Sequence, residues 1–536
     1  MDQLWWQTGV VYQIYPRSFQ DSTGNGIGDL PGIISRLDYV GELGVDAIWI
    51  SPFFTSPMRD FGYDVADYCD VDPLFGTLAD AERLVEEAHS RGLKVLVDFV
   101  PNHCSSEHPW FVEAGSSRSS LRRDWFVWRD PAPGGGPPNN WLSVFGGPAW
   151  TLDERTGQYY RHSFLKDQPD LDWRNPAVVE ALHEVLRFWM DRGVDGFRLD
   201  AILFGGKDPL EHVYDLGDPF VLEVFAGFRR VVDGYVAKSD FADQVAAVIP
   251  PQRVLIGEVH QYDLEEWAKY YGGVGAAGTP LGAAGLHMPF NFGLLKAPWT
   301  AGGVRAHVEA IERVTRDLGW PNYVLGNHDE ARLTQRLGQD SDRLAAMLLL
   351  TLRGTPTLYY GDEIGMEQGD IPPEKQLDPW GLNVSAELGR DGCRTPMQWN
   401  SGPAAGFTTG TPWLPVHDDR AFRNVAVQLD EPDALLNLYR RLLELRRKHQ
   451  ALHRGSFRAV DSGSDDCFSF VREAPDAPGH FKRMFVALNF GDEDIHVVTP
   501  GPCRVLLWSH APGEDLNLVE MVRLGPKEGA IAVVFG

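Results

Sequence analysis

Cysteine is scarce in this chain. There are five in 536 residues, at Cys69, Cys104, Cys393, Cys467 and Cys503, and no two stand at CxxC spacing. An odd, scattered set excludes a disulfide framework or a cysteine-ligated zinc, and predicts reduced thiols in a cytoplasmic protein. Long apolar runs are missing as well. Stretches such as Ala345 to Leu350 are far too short to span a bilayer, and MDQLWWQTGVVYQIYPRSF has neither the basic nor the apolar segment of a secretory leader. Positive charge is in short supply. Lys and Arg number 49 against 75 Asp and Glu, a net charge of −26, which argues against nucleic acid or an anionic membrane as partner. Internal repeats and low-complexity segments are also absent.

What the chain has is size, turns and rings: 56 Gly, 37 Pro, 17 Trp and 11% aromatic residues. Short apolar runs alternate with helical patterns. Strands are expected at Val10–Tyr15, Asp46–Ile50, Lys94–Val100, Val194–Leu199, Val254–Ile256, about Leu286–Phe290, Tyr323–Leu325 and Thr357–Tyr360. Their near-continuous apolar character fits strands covered on both faces, as in a parallel sheet. Helices are expected over Leu30–Leu43, over Leu78–Arg91 with Gly92 as its cap, over Pro176–Arg192 and over Pro432–His449. Eight βα units predict an α/β fold, a (β/α)8 barrel spanning 1–103 and 174–454. The Pro-, Gly- and Trp-rich stretch 104–173 reads as a subdomain inserted after the third strand. The alternating segments of 455–536 read as a C-terminal antiparallel β-sandwich.

Barrels of this type build their sites at the C-terminal ends of the strands. Strand three ends in DFVPNH (98–103), strand four in GFRLD (196–200), strand five in GEVH (257–260), and strand seven runs into NHD (327–329). Carboxylates and histidines thus converge on one rim. Glycoside hydrolysis needs a carboxylate nucleophile, a proton donor and compensation for developing positive charge. Arg198 shares a strand face with Asp200 and would keep it ionised. Glu258, flanked by apolar Val254 to Ile256, would have a raised pKa and serve as acid. Asp329 beside His328 would bind sugar hydroxyls and stabilise the transition state.

These four motifs, in this order, resemble the α-amylase family of glycoside hydrolases (family 13), and the resemblance covers essentially the whole chain. It implies a retaining mechanism with Asp200 as nucleophile, Glu258 as general acid/base and Asp329 as stabiliser, supported by Asn102, His103, Arg198 and His328. WWQTGVVYQIYPRSF, GNGIGD, QPDLDW (168–173) and RTPMQW (394–399) look most like the α-glucosidase/oligo-1,6-glucosidase group. That resemblance implies that Tyr63 stacks on the terminal glucose. It also implies that Asp60 and Arg394 close the far end of the pocket, giving exo-action on short oligosaccharides or disaccharides. In that group Val after the nucleophile goes with α-1,6 specificity and Thr with α-1,4. Ala201 is neither and leaves room, which leans to a broad or α-1,4 preference. Asp172 stands where the group usually has Asn. A transglucosidase or a sucrose/maltose isomerase, using the same intermediate, stays open, as does oligomeric state.

Asp21, Thr23, Asn25, Ile27 and Asp29 place oxygen ligands at alternating positions of a glycine-rich loop, the chemistry of a Ca²⁺ loop. The group carries a structural Ca²⁺ or Mg²⁺ there, and Thr23 and Asn25 in place of its usual acidic or amide residues would weaken it. No cofactor is expected for catalysis. Asp98 is expected to position Arg198. His260 either reaches the pocket or supports Glu258, and Glu330 is either a sugar contact or a solvated neighbour.

Overall fold

The computed structural model describes residues 4–201, 219–235, 253–272, 285–338, 340–477, 479, 481–510 and 517–535. Eight parallel strands close into a barrel: β1 (Val11–Ile14), β2 (Ala47–Ile50), β3 (Lys94–Phe99), β4 (Gly196–Leu199), β5 (Val254–Gly257), β6 (Met288–Asn291), β7 (Asn322–Val324) and β8 (Thr355–Tyr359). Each pairs with its neighbours in sequence, and β8 returns to β1 through Val11 opposite Thr357. The strands are buried at nearly every position, which is why their sequences read as continuous apolar runs. Val11, Trp49, Leu96, Ile256, Met288, Phe290 and Val324 fill the interior, so the barrel is a packed core and only its rim is open to chemistry.

The helix expected over Leu30–Leu43 is two: α1 (Leu30–Ser35), capped by the Asp29 side chain accepting from the Gly32 N–H, and α2 (Leu37–Leu43). Arg36 breaks them, leaving the helical region at φ −112° and ψ 3°. Its Nε–H donates to Gln20 at 2.7 Å, and its guanidinium lies 4.2 Å over the Trp399 ring. In α3 (Leu78–Ser90) a reciprocal capping box between Thr77 and Asp80 starts the helix, and Gly92 at φ +77° follows its end. The helix expected from Pro176 is α4 (Pro176–Met190); α5 (Asp342–Thr351) and α6 (Leu435–Lys448) come later.

Between β3 and β4 the chain builds a three-stranded sheet from Trp128–Arg129, Gln158–Arg161 and Trp150–Asp153. A two-stranded hairpin, Phe54–Thr55 with Asp67–Val71, follows β2, and the connection between its strands carries Asp60 and Tyr63. The C-terminal strands β9 (Ser456–Val460), β10 (Cys467–Glu473), β11 (Arg483–Asn489), β12 (Ile495–Trp508), β13 (Val519–Leu524) and β14 (Gly529–Val534) form one continuous antiparallel sheet, ordered β9-β10-β11-β14-β12-β13. The layers expected of a sandwich come from this one sheet. Phe468, Phe470, Val486 and Ile531 join the main core, while Val471, Phe485, Val497, Val522 and Leu524 enclose a core of their own. All five cysteines are free. Among the described residues no helix is long and apolar enough to cross a membrane.

Candidate active site

At the rim, the parallel register places Asp98 of β3 opposite Arg198 of β4. Arg198 is almost wholly buried and binds three carboxylates. Its Nη1 donates to Asp98 at 2.9 Å and to Asp200 at 2.5 Å, and its Nη2 lies 3.1 Å from Glu258. Asp98 also accepts from the indole of Trp49 (3.2 Å) and the hydroxyl of Tyr63 (3.1 Å), so it orients the guanidinium. Just past Asp200, Ala201 adopts φ +49°, a left-handed conformation rare for alanine, and its N–H donates to Glu258 Oε2 at 2.9 Å. The turn that follows Asp200 therefore also anchors Glu258. His260 Nε2 lies 2.9 Å from Glu258 Oε1.

One guanidinium among three buried carboxylates leaves the cluster short of positive charge. Burial pushes all three upward. Asp98 rises to about 6 despite Arg198. In Asp200, burial and the repulsion of Glu258 and Asp98 outweigh Arg198, and its pKa lies well above the ordinary value. In Glu258 burial is overcome by Arg198 and His260, which hold it at about 2. This reverses the expected order, in which Arg198 kept Asp200 ionised and apolar flanks raised Glu258. Arg198 serves both groups, and only Glu258 has a histidine as well.

The other half of the rim is a buried ion-pair wall. Arg390 donates to Asp60 (2.9 Å), to Asp329 (3.0 Å) and, through Nε and Nη2, to Asp378 (2.9 and 2.6 Å). Arg394 donates to Asp329 at 2.8 Å and to the His328 carbonyl at 2.7 Å. The pair expected between Asp60 and Arg394 is thus a pair between Asp60 and Arg390, with Arg394 turned to Asp329. Burial pushes Asp60 up to about 6 against the pull of both arginines. For Asp329 burial also opposes the charge, but His328, Arg390 and Arg394 surround it and hold it well below the carboxylate range. Burial drives His328 itself to about 3, so it is neutral and acts on Asp329 through its Nε2, 3.3 Å away, while the charge comes from Arg390, Arg394 and Arg198.

Tyr63 is buried with its ring nearly parallel to that of His328, 5° between planes and 5.4 Å between centroids, and joined to it edge to edge through its hydroxyl. The imidazole is fixed by Gln13, whose amide lies 2.7 Å from Nδ1, and by the Tyr63 hydroxyl, 2.6 Å from Nε2. With Gln13 as donor, Nε2 carries the hydrogen. His103 sits within hydrogen-bond distance of the Tyr63 carbonyl, Gln168 and Asn102; burial lowers it to about 4. Gln168 bridges on to Asp60 at 3.1 Å. Glu330 pairs with Lys296 at 2.8 Å.

Sequence reasoning missed Arg390, Asp378, Gln168 and Gln13. Two lie in motifs singled out in the sequence and a third near one: Gln168 opens QPDLDW, Gln13 lies in WWQTGVVYQIYPRSF, and Arg390 stands four residues before RTPMQW. The catalytic candidates Asp200, Glu258 and Asp329, the supporting Arg198 and His328, and the wall residues Asp60 and Arg394 are brought together. Asn102 and His103 join them through Gln168 and Tyr63.

In the glycine-rich loop, Asp21 accepts from the N–H groups of Thr23, Gly24 and Gly26 and from the Thr408 hydroxyl, and these bonds draw its pKa down against burial. The Thr23 hydroxyl lies 3.1 Å from the same carboxylate, and Asp29 accepts from Ser22 and Gly32. Asn25 accepts from the Ile27 N–H, so the side-chain oxygens of Asp21, Asn25 and Asp29 are all engaged by backbone N–H groups of the loop, and they are of the oxygen type that a hard cation such as Ca²⁺ or Mg²⁺ takes.

The family model described as "Alpha amylase, catalytic domain" matches residues 13–455. A probable alpha-glucosidase of Rhizobium meliloti (strain 1021) is 42% identical over 533 residues, covering 92% of this chain and 90% of that protein. An oligo-1,6-glucosidase of Parageobacillus thermoglucosidasius is 35% identical, covering 99% of both. Among solved structures, an alpha-glucosyl transfer enzyme superposes with a TM-score of 0.86 at 39% identity, over 99% of this chain and all of that one.

Proposed function

The chain belongs to the α-amylase family of glycoside hydrolases, and from that premise we propose that it is a retaining, exo-acting α-glucosidase of short oligosaccharides or disaccharides. The observation that carries the proposal is the wall of Asp60, Arg390, Asp378, Arg394 and Asp329 set beside the carboxylates on Arg198. Buried, mutually paired charges are a barrier a polysaccharide chain cannot thread, and their oxygens and N–H groups are suited to the hydroxyls of a terminal sugar.

In the first step an Asp200 oxygen bonds to the anomeric carbon as the glycosidic bond breaks, and Glu258 gives its proton to the departing oxygen. Asp329, held ionised by the surrounding arginines, faces the positive charge that develops on the sugar. In the second step Glu258 takes a proton from water, whose oxygen displaces Asp200 and restores the α-configuration. A single guanidinium holding both Asp200 and Glu258 supports the short carboxylate separation of retaining enzymes. The first step needs Glu258 protonated and Asp200 ionised, the opposite of the charge order that burial, Arg198 and His260 set in the free site. Asp21, Thr23, Asn25, Ile27 and Asp29 would hold a cation that stabilises the loop, remote from the proton transfers.

Asp200→Ala should abolish turnover; substantial residual hydrolysis would sink the nucleophile assignment. A panel of maltose, isomaltose, sucrose, trehalose and soluble starch tests the rest. The disaccharides should be cleaved with release of α-glucose, with α-1,4 preferred or a broad range accepted at Ala201, and efficient attack on starch would contradict the closed wall. The likeness to an alpha-glucosyl transfer enzyme favours a second reading, in which a sugar hydroxyl replaces water in the second step. Oligosaccharides or isomerised disaccharides dominating over glucose at high substrate concentration would select it.

A further inference from the structure

Glu258 is gripped from two sides. Its Oε2 accepts from the Ala201 N–H and lies 3.1 Å from Arg198, while its Oε1 lies 2.9 Å from His260 Nε2. The His260 ring is fixed in turn by stacking on Phe292, with centroids 4.5 Å apart and planes 10° from parallel. Phe292 is buried, whereas 43% of the His260 side chain is exposed. One edge of the imidazole therefore meets the carboxylate and much of the rest meets solvent. Both residues lie just past the end of β5, and the 2.9 Å contact shows that the histidine reaches back to the carboxylate two residues before it.

We propose that His260 is a positioning residue that keeps Glu258 ionised in the second half of the catalytic cycle, when Glu258 must act as base. This rests on the reading of Glu258 as the acid/base. Once Asp200 is esterified to the sugar it carries no charge, and Glu258 faces a smaller set of charges. Among the described residues, Arg198 and His260 touch it, and Asp98 and Asp329 act through space. His260 itself faces Glu258, Asp329 and Glu330, all acidic; they raise its pKa against burial, and Glu330 is partly countered by Lys296. A charged imidazole on Oε1 favours the carboxylate over the carboxylic acid. Water's proton then has a ready acceptor: it passes to Glu258, the water oxygen bonds to the anomeric carbon, and the bond to Asp200 breaks with its electrons returning to that carboxylate.

The test uses the full chain trapped as its glucosyl-enzyme with 5-fluoro-α-D-glucosyl fluoride, whose reactivation follows the second step alone. In His260→Gln the hydrogen bond to Oε1 is retained and the charge is lost. The acid limb of the reactivation rate should move up by about one pH unit, with the plateau above it within about threefold of wild type. Superimposable limbs, or a uniform fall in rate at every pH, would overturn the proposal. A separate arm tests the reading beneath it: Glu258→Ala on p-nitrophenyl α-glucoside should be rescued by azide, giving α-glucosyl azide. Failure of that rescue removes Glu258 as acid/base, whatever the reactivation limbs show.

Discussion

Two groups of buried arginines in this molecule face opposite surroundings. At the rim, Arg198, Arg390 and Arg394 meet carboxylates, and their charge is reinforced: the pKa of each is raised although burial alone would lower it. At the junction of barrel and C-terminal sheet, the hydrogen bonds of Arg446 and Arg472 among the described residues all go to carbonyls. Arg446 donates to Leu350, Leu352, Gly354 and Leu452, and Arg472 to Thr351, Gly455 and Ser456. Burial lowers Arg446 to about 10 and takes Arg472 well below its usual value. The same side chain does different work in the two places. The junction arginines satisfy orphan carbonyls around the C-terminal end of α5 and tie it to α6 and β10. The rim arginines set the charge of groups that would touch a sugar.

The comparison breaks most visibly if each group is made neutral. Arg390→Met should lower kcat/KM on maltose by about 100- to 1,000-fold, because Asp60, Asp329 and Asp378 lose a shared donor set before the transition state. Arg446→Met should leave kcat and KM within about twofold. It should cost about 3 kcal/mol or more of stability, read as a lower denaturation midpoint, because several carbonyls lose their donors. If Arg446→Met cut kcat while the midpoint held, the division between the two regions would be wrong.

A smaller effect sharpens the same contrast by pH. Asp60 has a folded pKa of about 6, above its unfolded value near 4. Between those values the folded state binds more protons than the unfolded one. The stability that protonated Asp60 contributes is therefore fully present below pH 4 and lost as pH rises through 6. Relative to Asp60→Asn, wild type should lose up to about 3 kcal/mol between pH 4 and pH 7.5. A difference that stays flat across that window would show that Arg390 holds Asp60 ionised throughout.

Much of this was legible in the chain because it is local. Asp98, Arg198, Asp200, Glu258 and Asp329 lie at or just beyond strand ends, and an apolar run followed by a carboxylate shows both the strand and its rim. The partner of Asp60 was not legible, because Arg390 lies 330 residues away and Arg394 carries an equal charge only four residues further on. The charge order of Asp200 and Glu258 also escaped a reading of each motif alone, since it depends on one guanidinium shared between β4 and β5 and on a histidine folding back. The break at Arg36 follows from contacts with Gln20 and Trp399, neither of which helical periodicity in α1 and α2 can register.

The weakest test of the contrast concerns the loop of Asp21 to Asp29, where charge is thin and the binding energy of a cation would go into structure rather than chemistry. Two carboxylates already engaged by backbone N–H groups bind a cation only modestly. At 100 times its dissociation constant, Ca²⁺ would add about 2.7 kcal/mol to the stability of the folded state. Chelation followed by Ca²⁺ or Mg²⁺ should therefore raise the melting temperature by a few degrees and leave kcat at 25 °C unchanged. Asp21→Asn should abolish the rise, because it removes half the carboxylate charge of the donor set. A shift that survives Asp21→Asn places the cation elsewhere, and a change in kcat on chelation would join this loop to the rim rather than set it apart.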